Sequence, residues 1–335
     1  MKRILVVGGG LIGSRHVRAV QAHSGCMLVG LADPDMGIAK DGARFADLKD
    51  VDTDVDGVII ATPTDLHAAQ GIEAAQRGWH MLIEKPVAHC QDAARALNAA
   101  LATHNARALV GHHRRYHAHV RQLKDLLEDG LIGQVINVSL LWAMRKPDTY
   151  FQGNWRAAGG SPVMINLVHD IDLLRFVIGD IRQTVALRGT SLRGTDRIES
   201  GAIALAFDSG ATGTIAFADT APSPWGFEAG TGENPNIGTT GQDMMWITGT
   251  TGAISFPSMT VWRGTDWGMA AKTEALTPAR NDRPPLDAQL DHFLDVIDGA
   301  PALIDVADAA QSLAIAQDIE AQLGFDPEQR WTRHA

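Results

Sequence analysis

Short apolar runs alternate with helix-like segments from Arg3 to His112, and this alternation constrains the fold more than any other feature of the sequence. The runs are apolar at successive positions, as expected of strands buried on both faces of a parallel sheet. The segments between them are rich in Ala and other good helix formers. Strands joined by crossover helices predict an α/β fold with a doubly wound parallel sheet. The predicted strands are Arg3–Val7, Met27–Ala32, Val55–Ala61, His80–Glu84 and Ala108–Gly111, and the predicted helices are Ser14–His23, Met36–Phe45, Leu66–Arg77 and Gln91–Thr103.

The pattern changes after a bridging helix predicted at Ala118–Glu128, because Asp129-Gly130 ends the helical periodicity and extended segments follow. A chain of 335 residues is long enough for about two domains. We expect a first domain over residues 1–122 and an α+β domain over residues 123–335. Turn residues at Asp208–Gly210 and Gly249–Gly252 predict two hairpins in a large, mainly antiparallel sheet. Its predicted strands are Val135–Ala143, Thr184–Leu187, Ala202–Phe207, Gly213–Phe217, Met244–Gly249 and Ala253–Phe256, with helices at Asn166–Val177, Leu286–Ile297 and Ala307–Leu323.

Composition excludes several classes of partner. The chain has 29 Lys and Arg against 39 Asp and Glu, and it lacks the basic stripe that binding to a nucleic-acid backbone needs. No apolar run approaches the ~20 residues of a membrane-spanning helix. The two cysteines, Cys26 and Cys90, show no pairing pattern, which predicts a reducing, cytoplasmic location.

A glycine-rich turn directly follows the first predicted strand. Gly8, Gly10 and Gly13 stand at the first, third and sixth positions of G-x-G-x-x-G, and Leu11-Ile12 fills the interval. Such a turn lets a pyrophosphate approach the N-terminus of the next helix, as in a Rossmann domain. Asp33 follows Gly13 by 20 residues, where a carboxylate accepts the ribose hydroxyls of NAD and repels the 2′-phosphate of NADP. We therefore predict NAD as the cofactor.

Two further loops follow predicted strands at the same edge of the sheet. Ligands bind outside the carboxyl ends of parallel strands, so both loops are candidates for cofactor contacts. The residues predicted to bind the cofactor there are Thr62, Pro63, Thr64 and His67 after the third strand, and Glu84 and Lys85 after the fourth.

Together these segments resemble the Gfo/Idh/MocA family of NAD(P)-dependent oxidoreductases, named for glucose–fructose oxidoreductase and inositol dehydrogenase. Glu84-Lys85-Pro86, in this order and place, is the most specific element of the resemblance. The other matching segments are Gly8–Gly13, Thr62–Thr64, Gly111–Arg115, Trp155-Arg156, Gly159-Gly160 and His169–Asp172.

The resemblance implies roles for individual residues. Lys85 is implied to lie beside the nicotinamide and the substrate hydroxyl, with His169 of the second domain completing the catalytic site. It also implies cofactor contacts for Trp155 and Arg156. His113 and Arg114 belong to a segment that matches a substrate-side loop.

One position departs from the family pattern. Many members have Asp four residues before the histidine, whereas this chain has Ile165, with Asn166 as the neighbouring polar residue. Asn166 can hydrogen-bond a substrate but cannot accept its proton. Oxidation of an alcohol needs a base with a pKa near the working pH, and His169 is the natural choice, with Asp172 one helical turn away to orient it.

The sequence thus predicts an NAD-dependent dehydrogenase acting on a secondary alcohol of a sugar, polyol or cyclic polyhydroxy compound. A redox-neutral NAD-dependent glycosidase of the same family and a non-catalytic NAD-binding sensor remain as alternatives. His113 and His117 are spaced like metal ligands, but the sequence shows no suitable third ligand, so we predict no metal. Apolar residues on more than one face of the second sheet predict a homodimer or homotetramer, with Leu140, Leu141, Trp142 and Met144 as examples.

Overall fold

The computed structural model describes residues 1–35, 37, 42–151, 161–193, 197–264, 267, 271–280 and 282–325, without the side chains of 271–273. The chain forms two compact units. The first contains residues 1–116 and 283–314, and the second contains residues 117–282 and the chain from 315 onward.

A six-stranded parallel sheet forms the first unit, in the order β3-β2-β1-β4-β5-β6. This is the strand order of a Rossmann domain, and it confirms the predicted doubly wound sheet. The central strands are buried on both faces, as their uninterrupted apolar runs predict; Ile4, Ile59 and Leu82 are fully buried. The elements are β1 (Lys2–Val7), α1 (Leu11–Ala22), β2 (Cys26–Ala32), β3 (Ala43–Phe45), β4 (Gly57–Ile60), α2 (Thr64–Gln76), β5 (His80–Ile83), α3 (Gln91–His104) and β6 (Ala108–Val110).

The helix predicted over Met36–Phe45 was wrong at its C-terminal end. Ala43–Phe45 is strand β3, which pairs with β2 in parallel. The backbone N–H of Asp33 donates to the carbonyl of Phe45 at 2.9 Å, and the Phe45 ring covers Gly30, where a Cβ would lie 2.7 Å from it. Pairing with β2 therefore overrides the local helical preference. Residues 36 and 38–41 lie outside the described residues.

The second unit contains an eight-stranded sheet in the order β14-β13-β12-β11-β7-β10-β9-β8. Every neighbouring pair is antiparallel except β7 with β10, so the predicted mainly antiparallel sheet is confirmed. Both predicted hairpins form, β9 with β10 and β11 with β12. The elements are α4 (Ala118–Glu128), β7 (Val135–Ala143), α5 (Val168–Ile178), β8 (Ile181–Arg188), β9 (Ser200–Phe207), β10 (Thr212–Ala218), α6 (Phe227–Thr231), β11 (Met245–Gly249), β12 (Gly252–Phe256), β13 (Thr260–Arg263) and β14 (Ala271–Ala275).

The two faces of this sheet differ in burial. Leu140 and Trp142 point to the buried face and are 2% and 1% exposed, while Leu141 between them lies half-buried on the opposite face. Leu140 and Trp142 are therefore core residues, although the sequence suggested them as part of an intersubunit surface.

Helices α7 (Pro285–Ile297) and α8 (Val306–Gln322) follow the second sheet in the chain, but α7 packs in the first unit. Phe293 and Ile297 cover Gly57 at the start of β4, where a Cβ would lie 2.9 Å and 2.7 Å from their side chains. The Gln289 amide donates to the carbonyl of Val110 in β6 at 3.3 Å. The division of the chain therefore differs from the predicted boundary at residue 122. Only tertiary packing brings α7 back to the first sheet.

Candidate active site

The glycine turn between β1 and α1 is built by two close backbone approaches. Gly8 has φ +90°, and a Cβ on it would lie 2.7 Å from the carbonyl oxygen of Ala61. A Cβ on Gly13 would lie 1.9 Å from the carbonyl oxygen of Gly8. Apart from Gly10 and its chain neighbours, no atom of the described residues lies within 4 Å of the Cβ position of Gly10, so open space adjoins the N-terminus of α1. This cradle fits a pyrophosphate, since the free N–H groups of a helix N-terminus bind anions.

The two residues between the glycines lie at the same turn. Leu11 is 79% exposed and Ile12 is half-buried, so the first residue of α1 leaves its side chain at the surface.

Asp33 follows β2, and its carboxylate is fixed beside the glycine turn. One carboxylate oxygen accepts from the backbone N–H of Gly9 at 2.6 Å, and the other accepts from the N–H of Asp35 at 2.8 Å. A carboxylate oxygen has two lone-pair sites, so both oxygens can still accept from ribose hydroxyls. The carboxylate and the glycine turn together fit the adenosine half of NAD.

The loop after β4 contains the Thr-Pro-Thr segment. The Thr62 hydroxyl donates to the Gln70 side chain at 2.6 Å, Pro63 is exposed, and Thr64 begins α2. All three residues thus lie at the carboxyl edge of the sheet, where the cofactor contacts were predicted.

His67, predicted to contact the cofactor, lies in the first turn of α2. It is 1% exposed, and its two ring nitrogens lie 2.8 Å from the carbonyl oxygen of Pro86 and 2.9 Å from that of Thr62. Burial lowers the pKa of His67, although both carbonyls favour the protonated ring. The side chain therefore links the loops after β4 and β5.

Glu84 was predicted to contact the cofactor from the loop after β5, and its side chain is buried. Its carboxylate lies 2.8 Å from the His16 ring, and both side chains are almost fully enclosed. Burial alone raises the pKa of Glu84, but the hydrogen bond from His16 and the charges of His16, His113 and Lys85 lower it to about 2. The second carboxylate oxygen accepts from the backbone N–H of Lys85 at 3.2 Å. Glu84 therefore holds the backbone of Lys85, whose side chain is half-buried.

The segment after β6 supplies one accessible candidate. His113 begins a 3₁₀ turn over His113–Tyr116 and is half-buried. Arg114, also predicted to contact the substrate, is 2% exposed. The neighbouring Arg115 pairs with Asp308 at 2.8 Å.

In the second unit, the histidine motif lies at an irregular helix start. A π-turn over Val163–Leu167 precedes α5, and such turns are frequent at functional sites. Asn166 in this turn is half-buried, while His169 in the first turn of α5 is 8% exposed. Asp172 follows one turn later and is buried. The structure thus places Asn166 and His169 on consecutive helical turns.

Sequence reasoning missed Lys146. Its ammonium donates to the side-chain oxygen of Asn166 at 2.5 Å. One signal was available: Lys146-Pro147 comes shortly after strand β7, as Lys85-Pro86 comes shortly after β5.

A buried ionic network supports the backbone of Lys146. Arg193 donates to the carbonyl oxygen of Lys146 at 3.1 Å and pairs with Asp219 at 2.6 Å. Glu199 accepts from the backbone N–H of Arg193 at 3.2 Å. Burial raises the pKa of Asp219, while its hydrogen bond to Arg193 opposes the shift.

Some predicted features lie beyond what the structure describes. Trp155, Arg156, Gly159 and Gly160 fall outside the described residues. Within the described ranges, no group of three or more His, Cys, Asp or Glu side chains is arranged to hold a metal ion. No helix in the described part of the chain is long and apolar enough to cross a membrane.

Comparison with known proteins identifies the family of both units. Residues 2–112 match the model of the oxidoreductase family with an NAD-binding Rossmann fold, and residues 120–255 match the GFO/IDH/MocA C-terminal domain. The inositol 2-dehydrogenase of Rhizobium meliloti is 30% identical over 186 residues, which cover 53% of this chain and 55% of that protein. The 1,5-anhydro-D-fructose reductase of Ensifer adhaerens is 34% identical over 201 residues, 56% of this chain and 58% of the relative. The chain thus spans about half the length of the curated relatives it matches.

The fold is also found in solved structures. The WlbA dehydrogenase from Bordetella pertussis, in complex with NADH and UDP-GlcNAcA, has a TM-score of 0.77 and 23% sequence identity, covering 96% of each chain. This likeness concerns the fold. Since both sequence models describe the same family and together match residues of both units, the chain belongs to the Gfo/Idh/MocA family of NAD-binding oxidoreductases.

Proposed function

We propose that the protein is an NAD-dependent dehydrogenase that oxidises a secondary alcohol of a sugar, polyol or cyclic polyhydroxy compound. The observation that carries this proposal is the open cradle at Gly10 beside the fixed carboxylate of Asp33, at the sheet edge where β5 leads into Lys85. The names of the inositol and anhydro-fructose relatives support a polyhydroxy substrate.

We infer NAD, and not NADP, from the charge at the end of β2. Asp33 holds a carboxylate where the 2′ position of the adenosine ribose is expected, and Asp35 follows it. A 2′-phosphate would be repelled there, whereas ribose hydroxyls can donate to the carboxylate.

The proposed chemistry divides between the cofactor and the chain. NAD, when bound, accepts a hydride from the carbon that bears the hydroxyl. The proton of that hydroxyl must leave as the carbonyl forms, and we assign its removal to the imidazole of His169. We assign Lys85 to donate a hydrogen bond to the oxygen and stabilise its developing negative charge. Both assignments rest on the family resemblance together with the position of each residue in its own unit.

The remaining candidates would position the reactants. Asn166 is proposed to hydrogen-bond the substrate, because an amide cannot take up a proton near neutral pH. His113 is proposed to contact the substrate from the turn after β6, where its side chain is half-buried.

A substrate panel tests the proposal. Polyols, inositols, sugar acids and glycosides are incubated with NAD, and NADH formation is followed by absorbance while the organic products are analysed in parallel. We expect stoichiometric NADH and ketone from at least one cyclic or linear polyol. Product formation without net NADH would favour the redox-neutral alternative, whereas NAD binding without any product across the panel would favour a sensor.

A further inference from the structure

Lys146 is held more firmly than a lysine in a surface loop usually is. Its backbone N–H donates to the carbonyl of Asp219 at 2.9 Å, and its own carbonyl accepts from Arg193 at 3.1 Å. Its ammonium lies 5.3 Å from the ring centre of Trp142 and 5.1 Å from that of Tyr150, within the range of cation–π attraction. These contacts fix where the charge of Lys146 lies.

The hydrogen bond from Lys146 shows which end of the Asn166 amide is already engaged. A lysine ammonium can only donate hydrogen bonds, so the atom of Asn166 that faces it at 2.5 Å must be the oxygen. The amide nitrogen, with its two donors, is therefore turned away from Lys146. The positive charge of the Lys146 ammonium beside the amide oxygen also polarises the amide and makes its N–H groups stronger donors.

We propose that Lys146 is a positioning residue for the dehydrogenase reaction: it orients Asn166 so that the amide donates a hydrogen bond to an oxygen of the substrate. The proposal rests on the proposed function. Asn166 then recognises a hydrogen-bond acceptor and takes no part in proton removal. Lys146 acts through Asn166 and does not touch the reacting atoms.

A double-mutant cycle tests this coupling. Steady-state kinetics are measured for wild type, Lys146→Met, Asn166→Ala and the double variant, with the panel alcohol that wild type oxidises best. Met preserves the apolar stem between the aromatic rings and removes the donor. Each single change should lower kcat/KM by roughly 10- to 100-fold, the value of one charge-assisted hydrogen bond. The double variant should match Asn166→Ala within about threefold, because the two residues act as one unit.

Substrate binding without turnover provides a second readout. The alcohol is titrated into the NADH form of each variant, which cannot oxidise it, and the dissociation constant should rise in the same non-additive way. The apparent pKa in the pH profile of kcat/KM should be unchanged in Lys146→Met. A shifted profile would assign Lys146 to proton transfer and overturn the proposal. The proposal would also fail if the losses in kcat/KM of the two single variants multiplied in the double variant, or if Lys146→Met had wild-type kinetics.

Lys124→Met is the matched control. Lys124 lies in the same unit, donates to Glu128 at 2.6 Å and lies 5.0 Å from the ring centre of Phe176. Its replacement should leave kcat/KM within about twofold of wild type, since exposed ion pairs contribute little. If Lys146→Met does not fold, Lys146→Gln replaces it in the cycle: its amide keeps a donor without the charge, so kcat/KM should fall less than in Asn166→Ala, while the double variant should still match Asn166→Ala within about threefold. A wild type that oxidises no alcohol would instead overturn the proposed function, so the two failures are distinguishable.

Discussion

Asp33 is the single residue on which the predicted cofactor preference depends. Its carboxylate is already oriented by the N–H groups of Gly9 and Asp35, so binding NAD requires no reorientation. We expect NAD to bind more tightly than NADP by a factor of tens, or about 2 kcal/mol for one charge-assisted contact and one repulsion. Fluorescence titration with NADH and NADPH measures the difference. Asp33→Ala should abolish it while Asp35→Ala preserves it, and equal affinities in the wild type would contradict the assignment.

Lys85 and His169 carry the proposed polarisation and proton removal. Lys85→Ala and His169→Ala should each lower kcat by roughly 10²- to 10⁴-fold, the usual contribution of general acid–base groups, while NAD binding stays nearly unchanged. Asn166→Ala should cost less, because it removes a hydrogen bond and no titrating group. If His169→Ala kept near-native turnover while Lys85→Ala was inactive, the lysine alone would perform the acid–base chemistry. If Lys85→Ala and His169→Ala both remained active, the catalytic site would lie elsewhere.

Because of Glu84, the first unit should lose stability at acidic pH. Its folded pKa of about 2 lies below the ordinary value of 4.5, so its stabilisation is complete above about pH 4.5 and is lost as the pH falls towards 2. Urea unfolding at a series of pH values should therefore show a shallower acid dependence for Glu84→Gln than for wild type. Glu128→Gln, at an exposed ion pair, serves as the control; parallel curves for Glu84→Gln and wild type would contradict the assignment.

At the scale of elements, the glycines between β1 and α1 have two different roles: Gly8 and Gly13 are needed for close backbone packing, whereas Gly10 faces the proposed ligand. Gly10 has φ −62° and open space at its Cβ position, so Gly10→Ala should fold with an unchanged unfolding temperature. The new methyl would occupy the space proposed for the pyrophosphate, and NAD affinity should fall by at least ~10-fold. Gly13→Ala should lower both stability and affinity, because its Cβ would collide with the carbonyl of Gly8. Calorimetry with and without NAD distinguishes the variants; wild-type affinity in Gly10→Ala would argue against a bound pyrophosphate at this turn.

Helices and strands could be predicted from the sequence where the neighbouring residues in the chain determine the local conformation. Val135–Ala143 and Ala118–Glu128 match their predicted bounds, because long apolar periodicity identifies such elements. Strands β3, β13 and β14 were missed. They are short and lie at or next to a sheet edge, so pairing with neighbouring strands defines them more than their own composition does.

At the scale of the whole molecule, the second sheet presents a face suited to another subunit. Small side chains such as Ala204 and Thr214 alternate there with larger exposed ones, including Leu187 and Trp246, which are 71% and 39% exposed. A shallow cavity of about 450 Å³ extends over this face beside Leu141. We predict a homodimer joined through these faces, or a tetramer built from such dimers, because large apolar patches usually mark interfaces.

Light scattering at micromolar concentration tests the assembly. A mass of two or four times 35.9 kDa is expected, and a mass near 35.9 kDa would refute the prediction. Leu187→Asp should shift the protein towards the monomer by placing a charge in the interface. Leu192→Asp, at an equally exposed loop position, should not.

The sequence by itself determined the class of both sheets, the glycine turn, the carboxylate after β2 and the family, because local periodicity and short motifs carry each of them. Tertiary structure alone decided which candidates face outwards: it buried His67, Glu84 and Arg114, returned α7 to the first sheet and brought Lys146 to Asn166. Lys146 and Asn166 are separated by 20 positions in the sequence, yet their side chains meet at 2.5 Å. Periodicity and motif spacing report local conformation, whereas burial and side-chain partners are set by packing between distant segments, which no local pattern encodes.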